Sequence, residues 1–395
     1  MTKVEQAIEE LKKGNLVVLL DDLDRENEGD LVGLPEYMNS DAINFMITQG
    51  KGLLCAPLSK KVALNHKLRL MPQRNSDGTN FMESLDASIS ITGISAKERM
   101  ETFEELLSED NIQFRTPGHL FPLLAKEGGL SVRRGHTEAS IDLAKLIGGK
   151  EVAAIIEIIK EDGDMARRDW LIDFAKKHNL VFFTIEDMVQ YIQEKRTDIW
   201  EVENLNEFEF SSIAKVPTTF GLFDMQVAKD IITNEDYIIV SSNVKKNPNV
   251  RVHSACITSE SFGSKKCDCK IQLDVSLELI SKEGGMVIYT PDEGRGLGIF
   301  NKINAYAMQD QGFDTVDANI KIGHPVEARH FNRPGKLLRE MGIDEVILLT
   351  NNPLKIKGIE KYGVKVSRKK HWMKTPFEES KNYLKVKIDK MNHMK

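Results

Sequence analysis

The segment RVHSACITSESFGSKKCDCKIQLD (251–274) holds three of the four cysteines of the chain, in the pattern C-x10-C-x-C. The thiolates of Cys256, Cys267 and Cys269 suit Zn²⁺, which takes cysteine sulfur at about 2.3 Å and prefers four ligands. An open fourth position holds a water whose pKa the metal lowers, so such a site supplies hydroxide near neutral pH. Two alternatives stand beside this interpretation. His253 could close the site and make it structural, or the thiols could be buried without a metal.

Acidic side chains form the second candidate site. The run DDLDRENEGD (21–30) has six carboxylates and one Arg in ten residues. A charge run is usually a solvated face, but two other polar stretches can join this one. RTPGHLFPL (115–123) holds His119 on a tight turn. RRGHTEAS (133–140) places two Arg, a Gly, a His and a Thr next to one another.

These residue types indicate a metal and phosphate site. Arg133, Arg134 and Thr137 suit a phosphate, because Arg donates forked hydrogen bonds and Thr adds a hydroxyl. His136 with a carboxylate of the acidic run suits a hard divalent cation such as Mg²⁺. Glu157 lies in the apolar run IIEII, where burial would raise its pKa and prepare it for proton transfer. The simpler alternatives are a structural His on a turn and a Glu at the solvent end of a strand.

Taken in order, DDLDRENEGD, RTPGHLFPL, RRGHTEASIDL and EDGDMAR resemble the 3,4-dihydroxy-2-butanone 4-phosphate synthase family of riboflavin biosynthesis, over about residues 3–195. In that family ribulose 5-phosphate loses one carbon as formate. The resemblance implies that Glu26 and His136 hold Mg²⁺ or Mn²⁺, and that His119 and Glu157 are essential for proton transfers. It implies substrate contacts from Arg25, Glu26, Asp30, Arg133, Arg134, Gly135, His136, Thr137 and Glu157.

A second set of motifs follows the cysteines. DEGRGLG (292–298), AYAMQDQGFDTVDAN (305–319), PVEAR (325–329) and LLTNNPLK (348–355), together with the cysteine spacing, resemble GTP cyclohydrolase II over about residues 208–365. That family opens the guanine imidazole ring, releasing formate and pyrophosphate. The resemblance implies zinc on the three cysteines. It implies GTP contacts from Arg251, Val252, His253, Ser254, Ala255, Gln272, Glu293, Gly294, Arg295, Thr315, Thr350 and Lys355.

The same resemblance implies catalytic roles for Arg329 at the α-phosphate and Tyr306 at ring opening. Glu327 stands where the family has a catalytic Asp, and Pro291-Asp292 replaces an Arg-Gln pair. Further departures are Glu83, Glu98, Lys270, His324 and the tail 386–393. Two alternatives to a bifunctional riboflavin enzyme therefore stay open. One is a paralogue with one or both activities lost or redirected, and the other is a non-catalytic regulatory protein that binds GTP or zinc.

Hydrophobic periodicity predicts the elements that must position these groups. The predicted strands are LVVLL (16–20), VAAIIEII (152–159), FGLFDMQVAK (220–229), YIIVSSNV (237–244), NVRVHSACI (249–257), GGMVIYT (284–290) and EVILLTNNP (345–353). The predicted helices are AINFMITQG (42–50), KERMETFEELL (97–107), WLIDFAKKHN (170–179), IEDMVQYIQEKR (185–196) and NKINAYAMQDQG (301–312). This pattern predicts an α/β (α+β) protein of two tandem mixed-sheet α/β domains, residues 1–200 and 201–395, with a short linker near 196–206.

Composition limits the partners. At 395 residues the chain exceeds one typical domain, and a prior of about 150 residues per domain suggests two or three. The net charge of -6 argues against nucleic-acid binding. Because no run of about 18 apolar residues exists and the N-terminus has no export signal, we expect no membrane partner and a cytoplasmic location. The basic stretch SRKKHWMK (367–374) could meet phosphates or form a solvated turn. The family resemblance implies a homodimer with the N-terminal site near the subunit interface.

Overall fold

Two compact units make up the chain. The computed structural model describes residues 1–72, 78–324, 327, 329, 331–369, 377, 380 and 388. The first unit is Met1–Glu207 with Ile231–Thr233, and the second is Phe208–Asp230 with Asn234–Lys395. Each unit contains a mixed sheet covered by helices, which confirms the predicted fold class. The basic stretch from residue 370 onward and all of the tail 386–393 except residue 388 lie outside the described residues.

The first unit is built on a seven-stranded sheet. Its strands are β1 (Val17–Leu20), β2 (Gly29–Gly33), β3 (Cys55–Leu58), β4 (Leu85–Asp86), β5 (Arg115–Leu124), β6 (Ala154–Glu157) and β7 (Val181–Thr184). They lie in the order β4-β5-β3-β6-β2-β1-β7. The predicted strands LVVLL and VAAIIEII are β1 and β6. The central strand β2 pairs antiparallel with β1 and β6, so the acidic loop joins two neighbouring central strands.

Helices cover both faces of this sheet. They are α1 (Lys3–Lys12), α2 (Ser40–Phe45), α3 (Lys60–Asn65), α4 (Ala96–Leu106), α5 (His136–Ile147), α6 (Arg168–His178) and α7 (Ile185–Lys195). Along β1, Val18 and Leu20 enter one buried cluster while Val17 and Leu19 enter another, as the two-residue period of a strand requires. The predicted helix at 42–50 is α2 followed by a wider π-turn, Met46–Gly50.

The second unit is built on an eight-stranded sheet. Its strands are β8 (Phe208–Phe210), β9 (Ala214–Thr218), β10 (Gly221–Asp230), β11 (Asp236–Ser242), β12 (Asn249–Ser254), β13 (Gly285–Thr290), β14 (Glu345–Leu349) and β15 (Lys365–Lys369). The order is β15-β14-β12-β13-β11-β10-β8, with β9 paired to β10. From β15 to β13 the pairs are parallel, and from β13 to β8 they are antiparallel.

Helices of the second unit connect the parallel strands. They are α8 (Ile257–Glu260), α9 (Cys269–Glu283), α10 (Gly298–Asp310), α11 (Thr315–Lys321), α12 (Arg333–Glu340) and α13 (Pro353–Glu360). The predicted helix at 301–312 is α10. Asn352 caps α13 by accepting the backbone N–H of Leu354, and Pro353 begins the helix, a position where Pro is favoured. The described residues contain no helix long and apolar enough to cross a membrane.

One buried carboxyl in the first unit makes its stability depend on pH. Asp142 of α5 is fully buried, and its Oδ2 accepts the backbone N–H of Leu130 at 3.0 Å and Trp200 Nε1 at 2.8 Å. Burial raises the pKa of Asp142 to about 6, from 3.8. The folded chain therefore keeps a proton that the unfolded chain loses as the pH rises above about 4.

We expect the free energy of unfolding of the wild type to fall, relative to that of Asp142→Asn, by up to about 3 kcal/mol between about pH 4 and pH 6. Above pH 6 the difference should stay constant, because both folded and unfolded carboxyls are then ionised. Urea unfolding followed by tryptophan fluorescence at a series of pH values measures this. Parallel pH profiles for the two proteins would contradict the assignment to Asp142.

Candidate active sites

Asp21 holds the acidic loop between β1 and β2 from inside. Its Oδ1 accepts the backbone N–H of Glu28 at 2.9 Å, and its Oδ2 accepts Arg25 Nη1 at 2.6 Å. Arg25 also makes a forked pair with Glu26, in which two nitrogen–oxygen distances are 2.9 Å. The Asp21 side chain is buried, whereas Glu26 is exposed. The loop is therefore internally ordered rather than a solvated charge run.

His136 brings α5 to this loop. It is the first residue of α5, and its Nε2 lies 3.1 Å from the carbonyl oxygen of Leu19. That contact assigns the proton to Nε2 and leaves a lone pair on Nδ1 for a metal. Ligand atoms of Asp21, Glu26 and His136 all lie within 4.8 Å of one another. The structure thus brings together the predicted pair Glu26 and His136, and adds Asp21, which the sequence left without a role.

Asp30 and Glu157 face each other across β2 and β6. Asp30 Oδ1 lies 3.8 Å from His136 Nδ1 and has no hydrogen-bond partner among the described residues. Burial raises the pKa of Asp30 well above its usual range, and the charge of Glu157 raises it further. Glu157 Oε2 accepts the backbone N–H of Leu53 at 2.8 Å. Two neighbouring carboxyls in different environments are suited to moving protons.

The start of α5 offers donors to an anion. Arg133 donates from Nη1 to Glu138 Oε2 at 2.6 Å and from Nη2 to Thr79 Oγ1 at 3.1 Å. Gly135 caps the helix, and a Cβ there would lie 2.3 Å from Arg133 Nη1, so a larger residue would displace the Arg133 guanidinium. Thr137 is buried in the first turn. A helix N-terminus with a guanidinium and a hydroxyl suits a phosphate.

Arg134 and Arg167 hold the acidic loop from outside. Arg134 makes a forked pair with Asp22, at 2.5 and 2.9 Å, and reaches Glu186 of α7 at 2.5 Å. Arg167 Nη1 donates to the carbonyl oxygen of Glu26 at 2.5 Å, immediately before α6. Arg167 lies in the EDGDMAR motif, but its contact with the proposed metal ligand was not predicted. The two guanidinium groups offset part of the negative charge of the loop.

His119 lies apart from this group. The predicted tight turn is wrong, because His119 is on the extended strand β5. Its Nδ1 is 2.9 Å from Asp86 Oδ2, and its backbone N–H donates to Asp86 Oδ1 at 2.8 Å. The strand order places β3 and β6 between β5 and β2, so three strand spacings, about 14 Å, separate His119 from Asp30. Side chains stand roughly perpendicular to a sheet. The His119 of one chain therefore does not reach the same small substrate as Asp30.

Three thiols meet between β12 and α9 in the second unit. Cys256 Sγ lies 3.6 Å from Cys267 Sγ, and the sulfurs of Cys256, Cys267 and Cys269 are all within 4.8 Å of one another. Tetrahedral zinc with sulfur at about 2.3 Å separates neighbouring sulfurs by about 3.8 Å. The residues present thus fit a zinc ion held by three thiolates. No fourth protein ligand joins this cluster in the part of the chain that the structure describes.

His253 is not among the atoms that meet at the thiols, so its position does not support a closed structural site. Its Nε2 lies 2.8 Å from Glu260 Oε1, and Tyr289 donates its hydroxyl to Glu260 Oε2 at 2.7 Å. The His253 and Tyr289 rings stack with their centroids 5.8 Å apart. Burial lowers the pKa of His253 to about 4, so the ring is neutral at pH 7. The histidine lines the pocket beside the thiols without entering the metal group.

Lys302 of α10 connects the thiols to an acidic residue. Its Nζ lies 3.1 Å from Cys256 Sγ and 2.7 Å from Glu293 Oε1. Glu293 also accepts the backbone N–H of Ile257 at 2.6 Å. Tyr306, one turn further along α10, lies 3.4 Å from Thr258 through their hydroxyl oxygens, and burial raises its pKa to about 12. Tyr306 is thus beside the thiols, as predicted, whereas the role of Lys302 was not predicted.

Unpaired buried donors mark the far end of this pocket. Arg295 has φ 65, between Gly294 and Gly296, a left-handed conformation that few residues other than glycine adopt. Its Nη1 and Nη2 are buried and have no hydrogen-bond partner among the described residues, and the same holds for Thr315 Oγ1. Buried donors are normally satisfied, so these atoms indicate an anionic ligand that the pocket is built to receive. Arg295 and Thr315 both line it.

The floor of the pocket comes from the carboxyl ends of the parallel strands. Arg251 of β12 donates to the carbonyl oxygen of Leu349 at 2.9 Å and pairs with Gln272, and burial lowers its pKa to about 10. Lys355 Nζ donates to the carbonyl oxygen of Val252 at 2.8 Å. Further predicted residues that line the pocket are Ser254, Ala255, Gly294 and Thr350. The Val252 side chain is buried in the core, so only its backbone is close to this region.

Glu327 and Arg329 pair with each other. Arg329 Nε lies 2.7 Å from Glu327 Oε1, and Arg329 Nη2 lies 2.5 Å from Glu327 Oε2. Arg329 also reaches Ser254 Oγ at 3.4 Å, and its guanidinium lies 4.7 Å from the centre of the Phe331 ring. The residue predicted to act on a phosphate therefore has its charge offset by the residue that replaces the family's Asp.

Comparisons with known proteins show what each half of the chain is similar to. The family model for 3,4-dihydroxy-2-butanone 4-phosphate synthase matches residues 5–191, and the model for GTP cyclohydrolase II matches residues 209–371. The riboflavin biosynthesis protein RibBA of Staphylococcus saprophyticus is 41% identical over 100% of this chain and 99% of its own. The RibBA of Staphylococcus aureus is 40% identical over 99% of this chain and 98% of its own. A crystal structure of 3,4-dihydroxy-2-butanone 4-phosphate synthase with two magnesium ions is 37% identical, with a TM-score of 0.47, and covers 49% of this chain and 98% of its own.

The chain belongs to the RibBA family of riboflavin biosynthesis proteins. It is a bifunctional enzyme, with a 3,4-dihydroxy-2-butanone 4-phosphate synthase half, a lyase, and a GTP cyclohydrolase II half, a hydrolase. These matches do not favour the alternatives of a redirected paralogue or a non-catalytic regulatory protein.

Proposed function

We propose that the acidic loop, β2, β6 and the start of α5 form the site that converts ribulose 5-phosphate to 3,4-dihydroxy-2-butanone 4-phosphate and formate. The observation that carries this proposal is the approach of the Asp21, Glu26 and His136 ligand atoms to within 4.8 Å. Glu26 and His136 hold Mg²⁺ or Mn²⁺, with Asp21 beside them. When bound, the ion stabilises the negative charge that develops on the sugar oxygens during enolisation.

The protein groups around that ion divide the remaining tasks. Asp30, the buried carboxyl beside His136, donates a proton to a substrate oxygen, and Glu157 accepts one from the adjacent carbon. The sugar phosphate binds at the start of α5, where Arg133, Gly135 and Thr137 offer donors. We propose that Arg134 binds the same phosphate after giving up its contact with Glu186. We propose that Arg25 binds a hydroxyl group of the sugar.

We propose that a second copy of the chain completes this site and that the protein is a homodimer. His119 is essential by family resemblance, yet it lies three strand spacings from Asp30 in its own chain. Beside the pair of His119 and Asp86, the loop after β4 exposes Ile89, Ile91 and Ile94, with 72%, 87% and 48% of their surfaces accessible. Exposed apolar side chains next to an incomplete site fit a subunit interface. His119 then acts in proton transfer in the partner's site.

We propose that the pocket of the second unit opens GTP to a pyrimidinone phosphate, formate and pyrophosphate. The observation that carries this proposal is the group of three thiols beside a buried guanidinium that has no partner among the described residues. Cys256, Cys267 and Cys269 hold Zn²⁺, which when bound supplies hydroxide for attack on the guanine ring.

The other side chains of this pocket hold the nucleotide. Arg295 and Lys355 bind the phosphates, and Arg329 acts at the α-phosphate, where positive charge stabilises the departure of pyrophosphate. Tyr306 orients the attacked ring. The remaining GTP contacts come from a larger set, namely Arg251, Val252, His253, Ser254, Ala255, Gln272, Glu293, Gly294, Thr315 and Thr350.

We place the enzyme in the cytoplasm, with small phosphorylated metabolites rather than nucleic acid as its ligands, in keeping with a net charge of -6. We also propose that the functional halves divide near residue 200, where the linker begins.

The ion pair of Glu327 and Arg329 makes GTP turnover sensitive to one methylene. We expect Glu327→Asp to raise GTP turnover by about tenfold, because a carboxylate set back by one methylene pairs less well with Arg329 and leaves its guanidinium to the phosphate; a charge-assisted hydrogen bond is worth that much. Steady-state release of formate from GTP measures this. Glu327→Gln is the matched control, since it removes the charge but keeps the length. Unchanged or lower turnover in the Asp variant would show that Glu327 has a function of its own.

The decisive experiment is release of formate by the purified chain, assayed separately with ribulose 5-phosphate and with GTP, alongside measurement of bound metal. The proposal expects formate from both substrates and one zinc per chain. Release of formate from neither substrate would contradict both proposed activities. Formate from the sugar alone would leave the second half as a binding domain.

A further inference from the structure

We propose that Lys302 is a positioning residue that ties the thiol of Cys256 to the carboxylate of Glu293, so that the metal end and the nucleotide end of the second pocket are held as one unit. This inference rests on the zinc and GTP roles proposed above for the second half. It goes beyond them because it gives a role to Lys302, to which neither the sequence motifs nor the family resemblance assigns one.

The contacts of Lys302 distinguish it from an ordinary surface lysine. Only 11% of its side chain is exposed, and its Nζ is 3.1 Å from Cys256 Sγ and 2.7 Å from Glu293 Oε1. A lysine ammonium has three N–H donors, so it can serve both partners at once. Glu293 in turn accepts the backbone N–H of Ile257, the residue after Cys256. Lys302, Cys256 and Glu293 therefore form a closed ring of contacts around the turn that follows β12.

The local backbone is shaped to permit this ring. Gly294 has φ 61, and a Cβ there would lie 3.0 Å from Lys302 Cβ. The turn that carries Glu293 and Arg295 thus packs directly on the stem of Lys302. A shift of Lys302 would move this turn, and with it the guanidinium proposed to bind phosphate. That is the physical route by which one ammonium joins the two ends of the pocket.

The positive charge of Lys302 also offsets negative charge in the pocket. Three thiolates around Zn²⁺ carry a net charge of about -1, and GTP adds several negative charges to the same pocket. An ammonium in contact with one sulfur offsets that excess at the point where it would repel the nucleotide. The bond also withdraws electron density from the thiolate. Lys302 is thereby suited to keep the metal site and the nucleotide site compatible.

Lys266 provides a matched control. It lines the same pocket and lies 4.9 Å from the centre of the Tyr306 ring, but its Nζ pairs with Asp310 at 2.6 Å. Removing either lysine deletes one positive charge from the pocket wall. Of these two lysines only Lys302 donates to a sulfur, so a measurement that reports on the sulfur distinguishes the Lys302 variant from the Lys266 variant.

The test uses the full chain loaded with Co²⁺ in place of zinc, since thiolates bound to cobalt give a charge-transfer absorption whose energy reports on the sulfur. In Lys302→Met the lost N–H···S bond should shift this band to lower energy. Lys302→Gln, which keeps a neutral donor, should shift it less, and Lys266→Met should leave it in place. If the Met variant does not fold, the Gln variant still decides.

The second measurement is a double-mutant cycle on the dissociation constant of GTP with Lys302→Met and Glu293→Gln. If the two residues act as a unit, the fold increase in the dissociation constant of GTP in the double variant should be smaller than the product of the fold increases in the two single variants. An unshifted cobalt band in both Lys302 variants, or additive losses of affinity, overturns the role of Lys302 while leaving the zinc site standing. A wild type without a thiolate–cobalt band overturns the zinc assignment and this inference with it.

Discussion

Cys267→Ser should lose its zinc and its release of formate from GTP, while formate release from ribulose 5-phosphate continues. Cys267 is buried, and its sulfur is 3.6 Å from that of Cys256, so it belongs to the centre of the thiol group. A serine oxygen binds zinc poorly in place of a thiolate, and only two sulfurs remain. Without zinc-supplied hydroxide we expect GTP turnover to fall by about 10³-fold or more, since even one oxyanion donor is worth about 10²–10³.

Metal analysis after gel filtration and the two formate assays check this prediction. Release of formate from the sugar is the internal control, because it reports that the variant chain is folded and active in its first half. Full zinc occupancy in Cys267→Ser would refute the ligand assignment. Loss of zinc with unchanged GTP turnover would show that the metal is structural.

Glu26→Gln should abolish formate release from ribulose 5-phosphate and leave GTP turnover in place. The substitution keeps the shape of the side chain but removes the charge that a hard cation requires. Glu26 is also the residue whose carbonyl oxygen accepts Arg167 Nη1 at 2.5 Å, so its backbone is fixed and a loss of function reports on the carboxylate itself. We expect a decrease of about 10³-fold or more, because both metal binding and enolisation depend on it.

Electron paramagnetic resonance of added Mn²⁺ measures metal binding directly and complements the formate assay. Asp24→Asn is the matched control, since Asp24 is an exposed acid of the same loop to which no role is assigned. The control should bind Mn²⁺ as the wild type does. Equal loss in both variants would mean that the loop attracts the cation by its net charge and not through Glu26.

Local patterns were enough to select most residues of the two candidate sites. The three cysteines, the acidic run and the GHTEA stretch each lie within a short segment, and their spacing reflects ligand geometry that the sequence displays directly. The strands and helices that carry them were also predictable, because the apolar period of β1 or α10 is a local property. The resemblance to the synthase family paired Glu26 with His136, and the structure brings their ligand atoms within 4.8 Å of each other although 109 residues lie between them.

The remaining features depend on strand order, which no short segment encodes. The separation of His119 from Asp30 follows from the two strands inserted between β5 and β2. Asp86 comes to His119 from a different strand, and Lys302 comes to Cys256 from a helix beyond the next parallel strand. Within the acidic run, nothing in the composition distinguishes Asp21, which is buried and supports the loop, from Asp24, which is exposed. Burial is a property of the fold, and it separates acids that look alike in sequence.

In the mixed sheet of the second unit, the residues proposed to bind ligands lie on the parallel part and not on the antiparallel part. The strand residues proposed to bind GTP or zinc lie on β12 or directly after β12, β13 and β14, at the ends where these parallel strands run out, whereas the antiparallel strands β8 to β11 supply none of them. The exposed stretch 244–247 precedes β12, and so lies at the opposite edge from the pocket. Exposed loop tips tolerate inserted sequence. A reporter peptide inserted there would therefore label the cyclohydrolase half without obstructing the pocket proposed to bind GTP.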